Sequence, residues 1–309
     1  MTDPTTPQTA ALDDQDRLTR FMIETAGVRG VRVHLHDTWR QIRERADYPA
    51  AAAEMLGEAA AAAALFTGHA KVDGRLSVQL RGEGALRTLF AECTAAGTLR
   101  GIVQLAEGGG EVSRDLRELG SQAVLAITIE NPPLNGRDPV RYQGLVSLES
   151  DNLAGAFESY FRQSEQLPTR LLLAADEHQA AGLMLQKLPG DEGDDDGWAR
   201  VGALFDTLGA GELLELPTDT LLTRLFHEDG VQLLGGKPLS FACSCSRERV
   251  EAMLVSLGRE EADAAVAEGQ GEAHIRCEFC GQSYRFDGNQ IAGLFAVAAA
   301  EIQAPQRLQ

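Results

Sequence analysis

The chain has 309 residues, of which 44% are hydrophobic, and a formal net charge of −18. That length leaves room for two or three domains. The negative excess repels phosphate backbones and anionic membrane surfaces, so nucleic-acid and membrane partners are not expected.

At the N-terminus, "MTDPTTPQTAALDDQDR" lacks the basic n-region and apolar h-region of a secretory signal. No apolar run is expected to approach the ~18 residues of a membrane span. Residues 1–17 are read as a disordered tail, and the expected location is cytoplasmic.

Residues 18–188 read as a strand-rich, mixed α/β core domain. In "VRGVRVHLHDTWRQI", Val31, Val33 and Leu35 alternate with Arg32, His34 and His36, which predicts a strand with one apolar face. The Ala-rich stretch after Pro49, with Met55, Leu56 and Leu65, predicts a long, closely packed helix. "GRLSVQLRGEG" predicts a strand and a turn, and "LRGIVQL", "QAVLAITIE" and "RYQGLVSLES" predict further strands. "NLAGAFESYFRQSEQ" reads as a helix ended by Pro168, followed by strands at "TRLLLAA" and "AGLMLQKLPG". Sequential strands joined by short turns imply largely antiparallel sheets with helices packed on them, an α+β fold.

Residues 189–240 differ in composition and are read as an acidic linker with amphipathic helices. From Pro189 to Gly230 there are 11 acidic and 2 basic residues. "PGDEGDDDG" is expected to be solvated. Two short helices are predicted after it. One carries Trp198, Val201, Leu204, Phe205 and Leu208 on one face, and the other carries Leu221, Leu222, Leu225 and Phe226.

Residues 241–309 hold four of the five cysteines, as Cys243-x-Cys245 and Cys277-x-x-Cys280. "SRERVEAMLVSLG" predicts a helix with Val250, Met253, Leu254 and Leu257 on one face, stopped by Gly258. "AHIRCEFCGQSYRFD" predicts strand, knuckle and strand, and "QIAGLFAVAAAEI" a helical tail.

Four thiolates on two tight turns suit the tetrahedral coordination of structural zinc. Gly281 supports a knuckle, because such a turn needs a residue tolerant of positive φ. The region is small and poor in large apolar side chains, so a zinc site would contribute on the order of 10–16 kcal/mol to its folding. Oxidation of either pair would consume the thiolates that the metal needs, so the arrangement also reads as an oxidation-triggered unfolding switch.

Three functions compete for such a site. Residues 243–287 carry 5 Arg and no Lys against 9 acidic residues, the wrong balance for a nucleic-acid-binding ribbon. A zinc-containing thiol–disulfide oxidoreductase is the alternative, although "CEFC" between strands fits a knuckle better than the helix start that such enzymes use. A redox-controlled binding protein would couple the switch to the apolar helices upstream.

"FACSCSRERV" and "CEFCGQSYRFD" resemble the zinc-binding end of the heat-shock protein 33 family, the redox-regulated bacterial holdase chaperones. The resemblance continues through "GRLSVQLRGEGAL", "AECTAAGTLRG", "RYQGLVSL", "ESYFRQSEQLPTRLLLA" and "GLMLQKLPG". It implies one zinc per chain held by Cys243, Cys245, Cys277 and Cys280 in the reduced, inactive state. It also implies disulfides Cys243–Cys245 and Cys277–Cys280, zinc release and unfolding of the zinc domain and linker on oxidation. An ATP-independent holdase, homodimeric when oxidised, would then bind unfolding clients and pass them to ATP-dependent chaperones. Leu221, Leu222, Leu225 and Phe226 are the expected client-binding surface once undocked.

Other motifs are read blandly. His34 and His36 form a polar strand face, Gly82 and Gly84 a hairpin turn, and "FHED" a helix end. His274 is surplus to a shell of four cysteines, and Cys93 is a buried inert thiol, with a third redox thiol as its alternative. No nucleophile–base pair or catalytic carboxylate pair stands out, so an enzyme is not expected.

Overall fold

The computed structural model describes residues 14–133, 139–190 and 193–303, with side chains described to residue 296. The chain divides into two compact units, Met1–Ala242 and Cys243–Gln309.

The larger unit is built around one helix. The strands are β1 (Arg17–Ile23), β2 (Val28–Leu35), β3 (Arg75–Arg81), β4 (Leu86–Thr94), β5 (Thr98–Leu105), β6 (Val124–Asn131), β7 (Val140–Val146), β8 (Thr169–Ala175), β9 (Ala180–Lys187), β10 (Val231–Pro238) and β11 (Ser240–Phe241). They form a five-stranded sheet in the order β10-β1-β2-β9-β8 and a six-stranded sheet in the order β11-β5-β4-β3-β6-β7. Among the described residues every pairing is antiparallel except that of β11 with β5. Helix α1 (Asp37–Arg43) precedes α2 (Ala50–His69), which packs against strands of both sheets. Its alanines make that approach possible: Ala59 to Ala64 are all fully buried, and a Cβ at Gly57 would lie 2.5 Å from that of Ala175.

Helix α2 departs from the expectation that no apolar run approaches the length of a membrane span. By length and composition it would be long and apolar enough to cross a membrane, yet 83% of its apolar stretch is buried inside the protein. A helix between two sheets must be apolar all round, and that is the cause of the resemblance to a span.

Helix α3 (Leu153–Tyr160) runs on into a π turn at Phe161–Glu165, where Gln166 takes a left-handed φ of 56° two residues before Pro168. Of the expected tail, residues 1–13 lie outside the described residues. Asp14 and Asp16 are held in the fold. Asp16 accepts hydrogen bonds from the backbone N–H groups of His36, Asp37 and Thr38 at the start of α1.

The acidic segment departs from the sequence reading in three ways. It forms three helices rather than two, α4 (Gly197–Phe205), α5 (Ala210–Glu215) and α6 (Thr218–Phe226). It then returns as β10, hydrogen-bonded along β1 at the sheet edge. Its aspartates are not simply solvated: Arg200 forms ion pairs with Asp194, Asp196 and the buried Asp229 at 2.8, 2.9 and 2.6 Å.

These helices correct the reading of β2 as well. One face of β2 (Val31, Val33, Leu35) packs in the cluster around α2. The other is buried too, because α4–α6 cover that side of the sheet. Val201, Phe205, Leu213, Leu221, Leu222 and Phe226 pack there on Phe21, Ile23, Val28, Leu183 and Leu185. Arg32, fully buried, donates to the carbonyls of Leu213 (3.2 Å) and Leu216 at the end of α5. Asp14 lies 3.8 Å from Arg32 and accepts from the N–H of Thr218 (2.7 Å) and from its hydroxyl, at the start of α6.

The smaller unit comprises α7 (Arg247–Leu257), α8 (Arg259–Glu268), the hairpin β12 (Glu272–Arg276) and β13 (Ser283–Asp287), and α9 (Gly288–Gln303). Its core is Val250, Leu254, Ala262, Ala273, Phe286 and Ile291. Two residues expected on the packed face of α7, Met253 and Leu257, are exposed at 41% and 58%. Among the described residues the core takes only Val250 and Leu254 of that stripe.

Candidate metal centre

Two local structures present the four sulfurs. The first pair precedes α7. Ser246 caps that helix by accepting from the N–H of Arg249, and Arg249 Nη1 donates to Ser244 O at 2.7 Å, so the C-x-C loop is tied to the first helical turn. The second pair lies in the turn between β12 and β13. Gly281 N–H donates to Cys277 O at 2.8 Å, and Cys277 N–H to Gln282 O at 2.9 Å. Gly281 has a φ of +74°, the left-handed conformation that this turn requires.

The sulfur atoms of Cys243, Cys245, Cys277 and Cys280 all lie within 4.8 Å of one another. Cys243 and Cys277 are 3.7 Å apart, and Cys245 and Cys280 3.3 Å. A tetrahedron with zinc–sulfur bonds of ~2.3 Å has edges of roughly 3.8 Å, so this donor set fits that ion. All four side chains are half-buried, and none forms a disulfide.

The thiols are not equivalent. Burial pushes Cys280 up to about 12, and burial likewise raises Cys243. Cys245 moves the other way, down to about 7. Burial opposes that shift, but the Tyr284 hydroxyl and the neighbouring thiols stabilise the anion. Tyr284 Oη donates to Cys245 Sγ at 3.2 Å, and Cys245 also sits just before the capped start of α7, where anions are favoured. These contacts favour the thiolate form of Cys245. Tyr284 lies in "CEFCGQSYRFD", yet the sequence alone gives it no role. Nothing in a sequence places a hydroxyl across from a cysteine 39 positions away.

The remaining candidates fall elsewhere. His274 is outside the sulfur cluster, half-exposed and 3.6 Å from Glu272. His34 is buried and hydrogen-bonded to Gln179 at 2.9 Å, whereas His36 precedes α1. Cys93 is fully buried in β4, where burial raises its thiol to about 11, as suits an inert side chain. Leu221, Leu222, Leu225 and Phe226 are all buried on the five-stranded sheet.

The Hsp33 protein family matches residues 16–287 of the chain. The 33 kDa chaperonin of Nitrosococcus oceani is 43% identical over 295 residues, covering 95% of this chain and 98% of that protein. The 33 kDa chaperonin of Ectopseudomonas mendocina is 43% identical over 293 residues, covering 93% and 98%. The crystal structure of the 33 kDa chaperonin from Thermotoga maritima superposes with a TM-score of 0.73 at 21% identity, covering 92% of this chain and 99% of that one. It has the same fold.

Proposed function

The chain belongs to the Hsp33 family, and from that premise we propose that it is a redox-regulated, ATP-independent chaperone of the cytoplasm, a holdase for unfolding proteins. The observation that carries this reading is the convergence of four cysteine sulfurs within 4.8 Å in a unit with a small apolar core, six buried hydrophobic residues among those described.

Cys243 and Cys245 would hold zinc from the α7 side, and Cys277 and Cys280 from the hairpin, and the bound ion would supply a cross-link between the two pairs. Oxidation by hypochlorous acid joins two thiols of a pair through a new S–S bond. The thiols lose two electrons and two protons, and the oxidant leaves as chloride and water with one proton. Sulfur proximity does not select the pairing, since all four atoms are mutually close. The pairing that the family resemblance implies, Cys243–Cys245 and Cys277–Cys280, joins cysteines that stay near each other after the unit opens. Disulfides that close such tiny loops restrain the unfolded chain little and do not rejoin the two halves.

Opening would then spread to the acidic linker. Leu221, Leu222, Leu225 and Phe226 would leave the sheet and offer an apolar client surface, while 11 acidic residues keep the segment in solution. The oxidised form would be a homodimer, and clients would pass to ATP-dependent chaperones after reduction. As for the oxidoreductase alternative, the "CEFC" turn lies between two strands and not at a helix start.

The test measures zinc content and suppression of client aggregation together. About one zinc per chain is expected in the reduced protein and none after full oxidation, with suppression only in the second state. Suppression independent of zinc release would reject the switch. Turnover of a small disulfide without holdase activity would favour the oxidoreductase.

A further inference from the structure

We propose that the cavity at the C-terminal end of α2 binds an amphipathic organic carboxylate, with Arg29 as the anion anchor. The cavity has a volume of about 510 Å³, within the usual range for small-molecule sites. Its apolar side is formed by Phe66, Leu76, Ile127, Ile129 and Phe161, and its polar side by Arg29, His69 and Lys71. The two kinds of lining meet in one space, which suits a ligand with a charged head and a hydrocarbon body.

Arg29 is the informative residue. It is half-buried, yet it makes no ion pair with any carboxylate among the described residues. Nε and Nη2 donate to Gln186 Oε1 at 3.2 and 2.6 Å, and Nη2 also lies 2.9 Å from His69 Nε2. Gln186 is fully buried and is fixed in turn by donating to Thr169 Oγ1 at 3.1 Å. Neutral groups thus hold the guanidinium, while Nη1 has no hydrogen-bond partner among the described residues. Desolvating a cation against neutral partners is costly, and in a chain of net charge −18 acidic partners are plentiful. An anion supplied from outside would meet that cost. A carboxylate oxygen can accept a charge-assisted hydrogen bond from Nη1, and the exposed Lys71 adds a second positive charge at the rim. His69 adds none, because burial, and then Arg29, push its imidazole down to about 4.

The far wall is also specifically built. Tyr142 and Tyr160 share a hydrogen bond at 2.8 Å, and a Cβ at Gly144 would strike the Tyr160 ring, so glycine in β7 makes room for that side chain. Glu165, the one carboxylate in the lining, accepts from Tyr160 at 3.4 Å and therefore belongs to the tyrosine side. Phe161, Glu165 and Leu167 come from the π turn and the residues after it, a distortion that often marks ligand sites.

The experiment is calorimetric titration of the reduced, zinc-loaded full chain with decanoate, decylammonium and 1-decanol, each below its aggregation limit. Decanoate is expected to bind at one site per chain. Arg29→Gln should weaken it by about tenfold or more, Arg87→Gln, a surface charge outside the cavity, should leave it unchanged, and Ile127→Trp should fill the cavity and remove binding. Decylammonium should not bind. The proposal is overturned if decanoate shows no saturable binding, if Arg29→Gln binds it as tightly as the parent, or if decylammonium binds as well. Should Ile127→Trp fail to fold, Arg29→Gln, with its fold checked by circular dichroism, decides alone. None of these outcomes depends on zinc release, so the chaperone reading is tested separately.

Discussion

The two faces of the five-stranded sheet are both buried, but they are buried differently. Against α2 the sheet presents Val31, Val33, Leu35, Leu171, Leu173 and Met184, which join one large cluster with the second sheet. Against α4–α6 it presents Phe21, Val28 and Leu183, but also Arg32, Thr19 and His34. The first face is a continuous apolar surface except at its end, where Thr169 and Gln186 are buried beside Arg29. The second is an apolar patch with a buried cation in it, covered by helices of 9, 6 and 9 residues. Such short helices are marginal by themselves and depend on docking. The cover-side face has a charged group at its centre, whereas the polar groups of the α2 side lie at its end.

Phenylalanine truncation gives the largest contrast. Phe157 and Phe226 are both fully buried, one on each side. Phe157 packs edge-on to Phe66 with centroids 4.9 Å apart. Either change to alanine should cost about 3–5 kcal/mol. Phe157→Ala is expected to lower the global unfolding free energy without creating a reduced-state holdase. Phe226→Ala is expected to undock α4–α6 and to suppress client aggregation without oxidant. Hydrogen exchange of α2 against α4–α6 checks this. Equal loss of protection in α2 for both variants would show that the faces are one cooperative unit.

Arg32 comes next. Removing it leaves the Leu213 and Leu216 carbonyls and the Asp14 carboxylate without their cation. Arg32→Ala should therefore weaken helix docking by about 1–3 kcal/mol. Arg32→Met should cost less, because Nε and Nη1 have no hydrogen-bond partner as it stands, and an apolar stem of similar length escapes that desolvation. If methionine proved the worse replacement, the charge itself would be what holds the cover.

Arg32 also shows why part of the molecule could be read from sequence and part could not. Cysteine carries its chemistry in its identity and spacing, so the candidate metal centre is visible in two short stretches. The long helix was visible because alanine, Pro49 and three large apolar residues leave little else. In "VRVHL" the same alternation describes a solvated strand and a strand with a polar face buried under other helices, and only the tertiary partner distinguishes them. β10 was hidden because "VQLLGGKP" has no alternation, and a Cβ at Gly236 would collide with the Leu18 carbonyl. α8 was hidden because "REEADAAVAE" buries only Ala262. Arg200 pairs with Asp229 across 29 positions, a contact that no local charge count contains.

Acidification tests both faces with a smaller effect. His34 lies on the cover side and His69 at the end of α2. Burial lowers both, His69 to about 4. An unfolded histidine titrates near ~6.5. Above that pH neither state is protonated and these groups add no penalty. As pH falls below it, the unfolded or undocked form takes up protons that the folded form refuses, so stability declines, for His69 down to about pH 4. The melting temperature is expected to fall between pH 7 and pH 5. His34→Gln should reduce the acid-induced exposure of α4–α6, and His69→Gln that of α2. A pH response unchanged in both variants would assign the effect to the carboxylates instead.

The smallest expected effect isolates charge from packing on the cover. Arg170 on β8 meets Asp206, just after α4, at 3.2 Å, with side chains 39% and 51% exposed. Water and salt screen such a pair, and holding two long side chains together costs entropy, so its coupling should be about 0–1 kcal/mol. A double-mutant cycle with Arg170→Gln and Asp206→Asn, read by protection of α4, is expected to give about 0.5 kcal/mol or less, vanishing in high salt. That outcome would leave the apolar faces and the buried Arg32 as the contacts that hold α4–α6 down. A coupling several times larger would mean that the cover is clamped at its rim. In that case ionic strength, and not only the cysteine pairs, would set how readily it lifts.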